Sequence, residues 1–251
     1  MSQIQVSEHG PHIAIVTLDN QPRRNALSRA ALAELGDVWA RLEAAPYRCL
    51  IVTGAGDKAF CSGADVSGDL SANVELSWKI ARGLQKYAVY RKPIVAAVNG
   101  DCIAGGVELL LATDIRAAAP HARFGLTEVR WGIYPFGGAA LKLVQQVGYV
   151  QAMELLLTAQ LIDAAEAARI GLVGRVLPAG ELMPWAIRTA ETIAANSPMA
   201  VQAVKEQIST TDYMRNIGRE PLEQQLGDRV RASPDFSEGV AAFLAKRKPN
   251  Y

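Results

Sequence analysis

The stretch 98–114, VNGDCIAGGVELLLATD, constrains this chain more than any other. Before it, Ile94-Val95-Ala96-Ala97-Val98 forms an apolar run between Lys92-Pro93 and Asn99-Gly100, the composition of a buried strand with turn residues at both ends. Ala104-Gly105-Gly106 follows and leads straight into Val107-Glu108-Leu109-Leu110-Leu111-Ala112, which has helix-forming composition. Paired glycines at a helix start leave backbone N–H groups bare, because no Cβ blocks an approaching ligand. Those first N–H groups lack intrahelical partners and carry the positive end of the helix dipole, so they are suited to hold an oxyanion. Glu108 falls in the first turn of the helix. Taken alone, it is equally well read as a carboxylate that complements the dipole.

At 251 residues the chain is long enough for a sizeable core in one or two domains. Its hydrophobic share of 50% and charged share of 20% are those of a soluble globular protein. A net charge of +1 gives no reason to expect nucleic acid or an anionic membrane as partner. Cys49, Cys61 and Cys102 are widely spaced and odd in number, which suits a reducing compartment and forms no zinc pattern. The opening MSQIQVSEHG lacks a signal layout and no apolar run approaches the length of a membrane span, so a cytoplasmic protein is expected.

Strands are expected at 13–18, with a hairpin partner at 4–6, and at 49–53, 94–98, 115–118, 122–125 and 172–177. Ser28 caps a helix whose apolar face is Leu27, Ala31, Leu32, Leu35, Val38, Trp39 and Leu42. Further helices are expected over 73–91, from Gly138, over 150–158 and 164–170, and over 186–195, 199–208, 222–230 and 238–246. Residues 59–65, AFCSGAD, read as a loop of small residues. Strands and helices mingle up to about residue 180 and helices dominate beyond it, the pattern of an α/β core with a helical C-terminal part.

Several familiar sites are absent. Gly54-Ala55-Gly56 lacks the third glycine of a dinucleotide loop, and no GxxxxGK[ST] phosphate loop exists. His9, His12 and His121 pair with no serine or cysteine in a nucleophile motif, and no acidic pair has metal-ligand spacing. What remains is two backbone loops, Cys61-Ser62-Gly63-Ala64-Asp65 and Ala104-Gly105-Gly106, and two carboxylates, Glu108 and Glu128. Two N–H donors can polarise a carbonyl while two carboxylates handle protons on either side of an adjacent carbon.

The chain resembles the crotonase, or enoyl-CoA hydratase/isomerase, superfamily. The matching stretches are VTLDNQPRRNAL, CLIVTGAGDKAFCSGADV, PIVAAVNGDCIAGGVELLLATDIRAAAPHARFGLTEVRWGIYP, QAMELLLTAQLIDAAEAARIGLVGRVLP and AFLAKRKPNY, nearly the whole chain. The resemblance implies an α/β fold of repeated β-β-α units in a spiral over residues 1–195, followed by a helical C-terminal trimerisation region over 196–251. By position Ala64 and Gly105 resemble the backbone donors of the family's oxyanion hole, and Glu108 and Glu128 its two acid/base carboxylates. Keeping both carboxylates favours an enoyl-CoA hydratase that adds water to a 2-enoyl thioester, with an isomerase using Glu128 alone, or a non-catalytic acyl-CoA-binding scaffold, as alternatives. Coenzyme A then enters as part of the substrate, with no separate cofactor and no metal. Its site is expected at Arg24 and Ala26 and along Ala64-Asp65-Val66, because a guanidinium pairs with phosphate in a forked geometry. The resemblance also implies a homotrimer or a dimer of trimers, in keeping with an amphipathic helical tail that must bury its apolar face on something.

One segment departs from the family pattern. After Glu128 a glycine-rich turn of small residues is usual, but here it reads Trp131-Gly132-Ile133-Tyr134-Pro135-Phe136-Gly137-Gly138. Tyr134 and Phe136 either pack away from the site or narrow the acyl pocket.

Overall fold

A computed structural model of the chain describes residues 2–65 and 74–251. Strands β1 (Ile4–His9), β2 (Ile13–Leu18), β3 (Cys49–Gly54), β5 (Ile94–Val98), β7 (Ile115–Ala118) and β10 (Arg175–Val176) form a six-stranded sheet in the order β1-β2-β3-β5-β7-β10. Only the β1–β2 hairpin is antiparallel. A second, four-stranded sheet runs β4 (Ala59–Cys61), β6 (Asp101–Ile103), β8 (Arg123–Gly125), β9 (Ile162–Asp163). Each turn of the chain therefore places one strand in each sheet, β3 then β4, β5 then β6, β7 then β8, and the turns stack as a spiral.

The period of two along the strands explains why both faces of the larger sheet are covered. Leu50, Val52, Ile94, Ala96 and Val98 face one apolar cluster together with Leu32, Leu35, Trp39 and Leu42 of α1 (Arg29–Ala44). Cys49, Ile51, Val95 and Ala97 face the other, which α7 (Ala179–Ala195) closes with Leu182, Trp185, Ala186, Ala190 and Ala194 at helical spacing. Ser28 caps α1 as expected, its Oγ accepting from Ala31 N–H at 3.1 Å.

The helices expected over 150–158 and 164–170 are present as α5 (Tyr149–Thr158) and α6 (Ala164–Arg169). Several other expected boundaries shift. Residues 59–65 do not form a simple loop, because Ala59–Cys61 pairs with β6. The helix expected over 73–91 is α2 (Val74–Gly83), which ends before Gln85 turns to a φ of +49°, a conformation no helix continues through; Asn73 lies outside the described residues. The strand expected over 172–177 shrinks to Arg175–Val176. Helix α7 begins seven residues before the expected Ala186 and carries Pro184 within it, α8 (Pro198–Asn216) continues past Ile208, and α10 (Pro234–Leu244) begins before Glu238. Leu182 and Trp185, buried against the sheet, carry α7 through Pro184, while Ser233 caps α10 ahead of Pro234.

Helix α3 (Gly105–Leu110) starts directly after β6, α4 (Ala139–Val147) follows the turn after Glu128, and α9 (Glu220–Arg231) and α10 fold back over that turn. Gly239 of α10 lies against the Trp131 carbonyl, and Trp131 meets Phe243 edge-to-face with ring centroids 5.1 Å apart. Helix α8, by contrast, leaves Met199, Val204, Ile208 and Met214 exposed.

Candidate active site

Gly63 and Gly105 bring the two small-residue loops together. Gly63 has φ +94°, and a Cβ on it would lie 2.9 Å from Ala104 Cβ and 3.1 Å from Gly105 N, so neither the conformation nor the space admits a side chain. Leu27 and Ala64 form a parallel bridge through Leu27 N–H to Gly63 C=O (2.8 Å) and Asp65 N–H to Leu27 C=O (2.9 Å). Since alternate residues of an extended chain point opposite ways, the Ala64 N–H is directed away from Leu27. Ala104 holds a φ of +54° with ψ −123°, a conformation that costs an alanine on the order of 1–3 kcal/mol. It is fixed there by its N–H to Gly125 C=O (2.8 Å), and its own carbonyl accepts from Val107 and Glu108 N–H. Gly105, next in the chain, opens α3 with its N–H at the helix start.

A cavity of about 210 Å³ is lined by Ala64, Asp65, Gly105, Glu108, Glu128, Tyr134 and Phe136 among others. Both backbone donors and both carboxylates thus meet in one apolar space. Glu108 is 4% exposed and Glu128 9% exposed. Glu108 Oε1 accepts from Ala139 N–H, the free first N–H of α4, at 3.2 Å. Gly137 permits this approach, since a Cβ there would overlap Glu108 Oε2. Glu128 opens a 3₁₀ turn (Glu128–Trp131), and its buried Oε2 has no hydrogen-bond partner among the described residues.

Burial pushes Glu108 up to about 7, opposed by the Ala139 N–H and the charge of Lys86. Burial and then the neighbouring charge of Glu108 push Glu128 up to about 8. Both carboxyls are therefore held well above the ordinary carboxylate range, and Glu108, with a donor and a cation beside it, ionises the more readily of the two. Tyr134 and Phe136 do not pack away from the site. Their rings stack edge-to-face 5.3 Å apart, and Phe136 fills the space above Gly227 of α9 beneath the Arg231 guanidinium at 4.6 Å.

The expected coenzyme A loop is nearby but does not line the cavity. Arg24 pairs with Asp101 at 3.1 Å and remains mostly exposed, while Ala26 is buried. Their loop is tied to the segment that carries Ala64 by Ser62 N–H to Arg24 C=O at 3.1 Å. Asp65 lines the cavity and lies 3.5 Å from Arg23, and Val66 lies outside the described residues. No sequence signal pointed to Lys86, Tyr87 and Glu223, which cluster near Glu108: Glu223 sits in the first turn of α9 like any dipole-complementing acid.

Among the described residues no group of three or more His, Cys, Asp or Glu side chains is placed to hold a metal ion, and no helix is long and apolar enough to cross a membrane. Cys49, Cys61 and Cys102 are buried free thiols.

Known proteins resemble the chain over nearly its whole length. The model of the enoyl-CoA hydratase/isomerase family matches residues 8–251. Enoyl-CoA hydratase EchA19 of Mycobacterium tuberculosis is 40% identical over 252 residues, covering 97% of this chain and 94% of the relative. Mevalonyl-coenzyme A hydratase sidH of Aspergillus fumigatus is 36% identical, covering 98% of this chain and 93% of the relative. Among solved structures, carnitinyl-CoA hydratase from Mycobacterium avium superposes with a TM-score of 0.88 at 33% identity, covering 100% of this chain and 98% of that one. The chain belongs to the enoyl-CoA hydratase/isomerase family, the crotonase superfamily that its motifs resemble.

Proposed function

We propose that this protein is an enoyl-CoA hydratase, adding water in syn fashion across the double bond of a 2-enoyl-CoA thioester. The observation that carries the reading is the meeting of two backbone N–H loops and two buried, unequally titrating carboxylates in one cavity. The Ala64 and Gly105 N–H groups hold the thioester oxygen as electrons move onto it from the double bond. Removal of one such donor in other enzymes costs about 2.7–4 kcal/mol of barrier. Ionised Glu108 takes a proton from water while the water oxygen bonds to the β-carbon. Protonated Glu128 then delivers its proton to the α-carbon as the enolate collapses. Both water hydrogens are accounted for once Glu108 passes its proton back to Glu128, the group with the higher proton affinity.

The finer assignments follow from the same reading. Asp65 borders the thioester, and Arg24 and Ala26 belong to the loop that receives the nucleotide. Coenzyme A is carried by the substrate, so the reaction needs no separate cofactor or metal. Tyr134 and Phe136 shorten the acyl end of a cavity of only about 210 Å³, which favours small acyl groups of the kind met in fatty-acid breakdown. The exposed Met199, Val204, Ile208 and Met214 of α8 supply an apolar face for a homotrimer or a dimer of trimers, and the protein works in the cytoplasm. Incubation with crotonyl-CoA should abolish the enoyl absorbance and yield a product heavier by one water. Persistence of the absorbance with crotonyl-CoA and every other 2-enoyl-CoA tried, alongside conversion of a 3-enoyl-CoA, would instead identify a double-bond isomerase.

A further inference from the structure

Close enough to Glu108 to act on its charge lies an ion pair that does not line the cavity and has no part in the proton transfers of hydration. Lys86 Nζ and Glu223 meet at 2.6 Å, with side chains 8% and 3% exposed. Tyr87 Oη donates to Glu223 Oε2 at 2.8 Å, while Glu223 Oε1 has no hydrogen-bond partner among the described residues. A buried ion pair is a poor source of stability, because desolvation offsets most of the attraction and apolar residues of similar volume often serve as well. One with an unsatisfied oxygen is poorer still. Its position suggests another use. The Lys86 stem packs under Gly138, where an added Cβ would lie 3.1 Å from Lys86 Cγ. Gly138 immediately precedes Ala139, whose N–H holds Glu108. The pair thus supports the turn that positions Glu108, with one member contributed by the C-terminal helix α9.

We propose that the buried Lys86–Glu223 pair is a positioning pair that fixes the charge state of Glu108 from outside the reaction cavity, a role that rests on Glu108 being the hydration base. Among the described residues five groups face Glu108 electrostatically: Lys86 after α2, Lys142 of α4, Glu128, Tyr134 and Glu223 of α9. Lys142 donates to the Gln85 carbonyl at 2.7 Å, and burial lowers it to about 8, so it too stays largely protonated near neutrality. The charges that act most on Glu108 are Lys86, which favours the carboxylate, and Glu223, which disfavours it and pairs with the Lys86 ammonium.

Glu223→Gln keeps a hydrogen-bond acceptor for Tyr87 and Lys86 but removes the negative charge, leaving Lys86 unopposed. The acid limb of the kcat–pH profile for crotonyl-CoA should then move down by about one pH unit. Lys86→Met should move the same limb up, and the double variant should bring it back toward its original position. KM should change less than kcat throughout, because neither residue lines the cavity. A purely structural pair would change rate and stability without moving the limb in opposite directions. If Lys86→Met does not fold, the Glu223→Gln shift decides alone, and an unmoved limb in that variant overturns the proposal. Infrared titration of the buried carboxyls, with Glu108→Gln to assign the band, reads the same shift without turnover. A shifted Glu108 titration in a protein that hydrates no thioester would retain the pair's effect and remove the hydratase reading, whereas active hydration with an unshifted titration would do the reverse.

Discussion

Glu108 leaves the first turn of α3 with one oxygen on the Ala139 N–H and the Lys86 charge within reach, whereas Glu128 rises from a 3₁₀ turn with its buried Oε2 unpartnered among the described residues. The two are the same residue, similarly buried and facing the same cavity. A donor and a nearby cation favour the ionised form of Glu108, whereas burial and the Glu108 charge favour the protonated form of Glu128. The difference shows how a fold tunes two identical side chains apart, here by setting the first N–H of α4 beside Glu108.

The largest effect should come from breaking each partner in turn. Glu108→Gln and Glu128→Gln should each lower hydration turnover by at least about a hundredfold, while product binding measured by calorimetry survives both changes because the thioester contacts are backbone groups. A Glu108→Gln enzyme with near-normal hydration would break the comparison. Gly137→Ala acts on the Glu108 side only, since its Cβ would overlap Glu108 Oε2 and lie 2.5 Å from Leu84 Cδ1. Displacing the base in this way should cost about ten- to a hundredfold in kcat and about 1–3 kcal/mol of stability by denaturant unfolding.

A smaller effect sharpens the Glu128 side. Its folded pKa lies above the unfolded value, so the protein is favoured fully at pH below the ordinary carboxylate range and loses that advantage as pH rises through about 8. Glu128→Gln should therefore raise Tm by several degrees at about pH 9 and by little at about pH 5, read by calorimetric scans. An equal gain at both would mean that Glu128 carries no buried charge to relieve. Smallest of all, Arg24→Ala touches neither carboxylate. Being exposed and already paired with Asp101, it should raise KM for coenzyme A esters only about two- to fivefold and leave kcat unchanged. Identical KM values for every ester tested would remove Arg24 from the nucleotide site.

The parts of this arrangement visible in the sequence are those with local patterns. Apolar runs marked β3 and β5, Ser28 marked the start of α1, and the glycines before Glu108 marked the start of α3. The second sheet was hidden because Ala59–Cys61, Asp101–Ile103 and Ile162–Asp163 are too short to show any periodicity. Helix α7 runs through Pro184 where propensity argues for a later start, its Leu182 and Trp185 being buried against the sheet. The hydrogen bond from Tyr87 to Glu223 joins residues 136 positions apart, and no local rule reaches that far. Nor did the sequence reveal that Phe136 would settle above Gly227, with both departures from the family's small-residue turn lining the cavity that holds Glu108 and Glu128.

The protonation states of the two carboxylates in the resting protein decide most directly which is the base and which the acid. Infrared difference spectra recorded between about pH 7 and pH 8 should contain the stretch of a buried protonated carboxyl group. With Glu128 as the acid, that band vanishes in Glu128→Gln and persists in Glu108→Gln. Loss of the band in Glu108→Gln with retention in Glu128→Gln would reverse the two roles and contradict the mechanism.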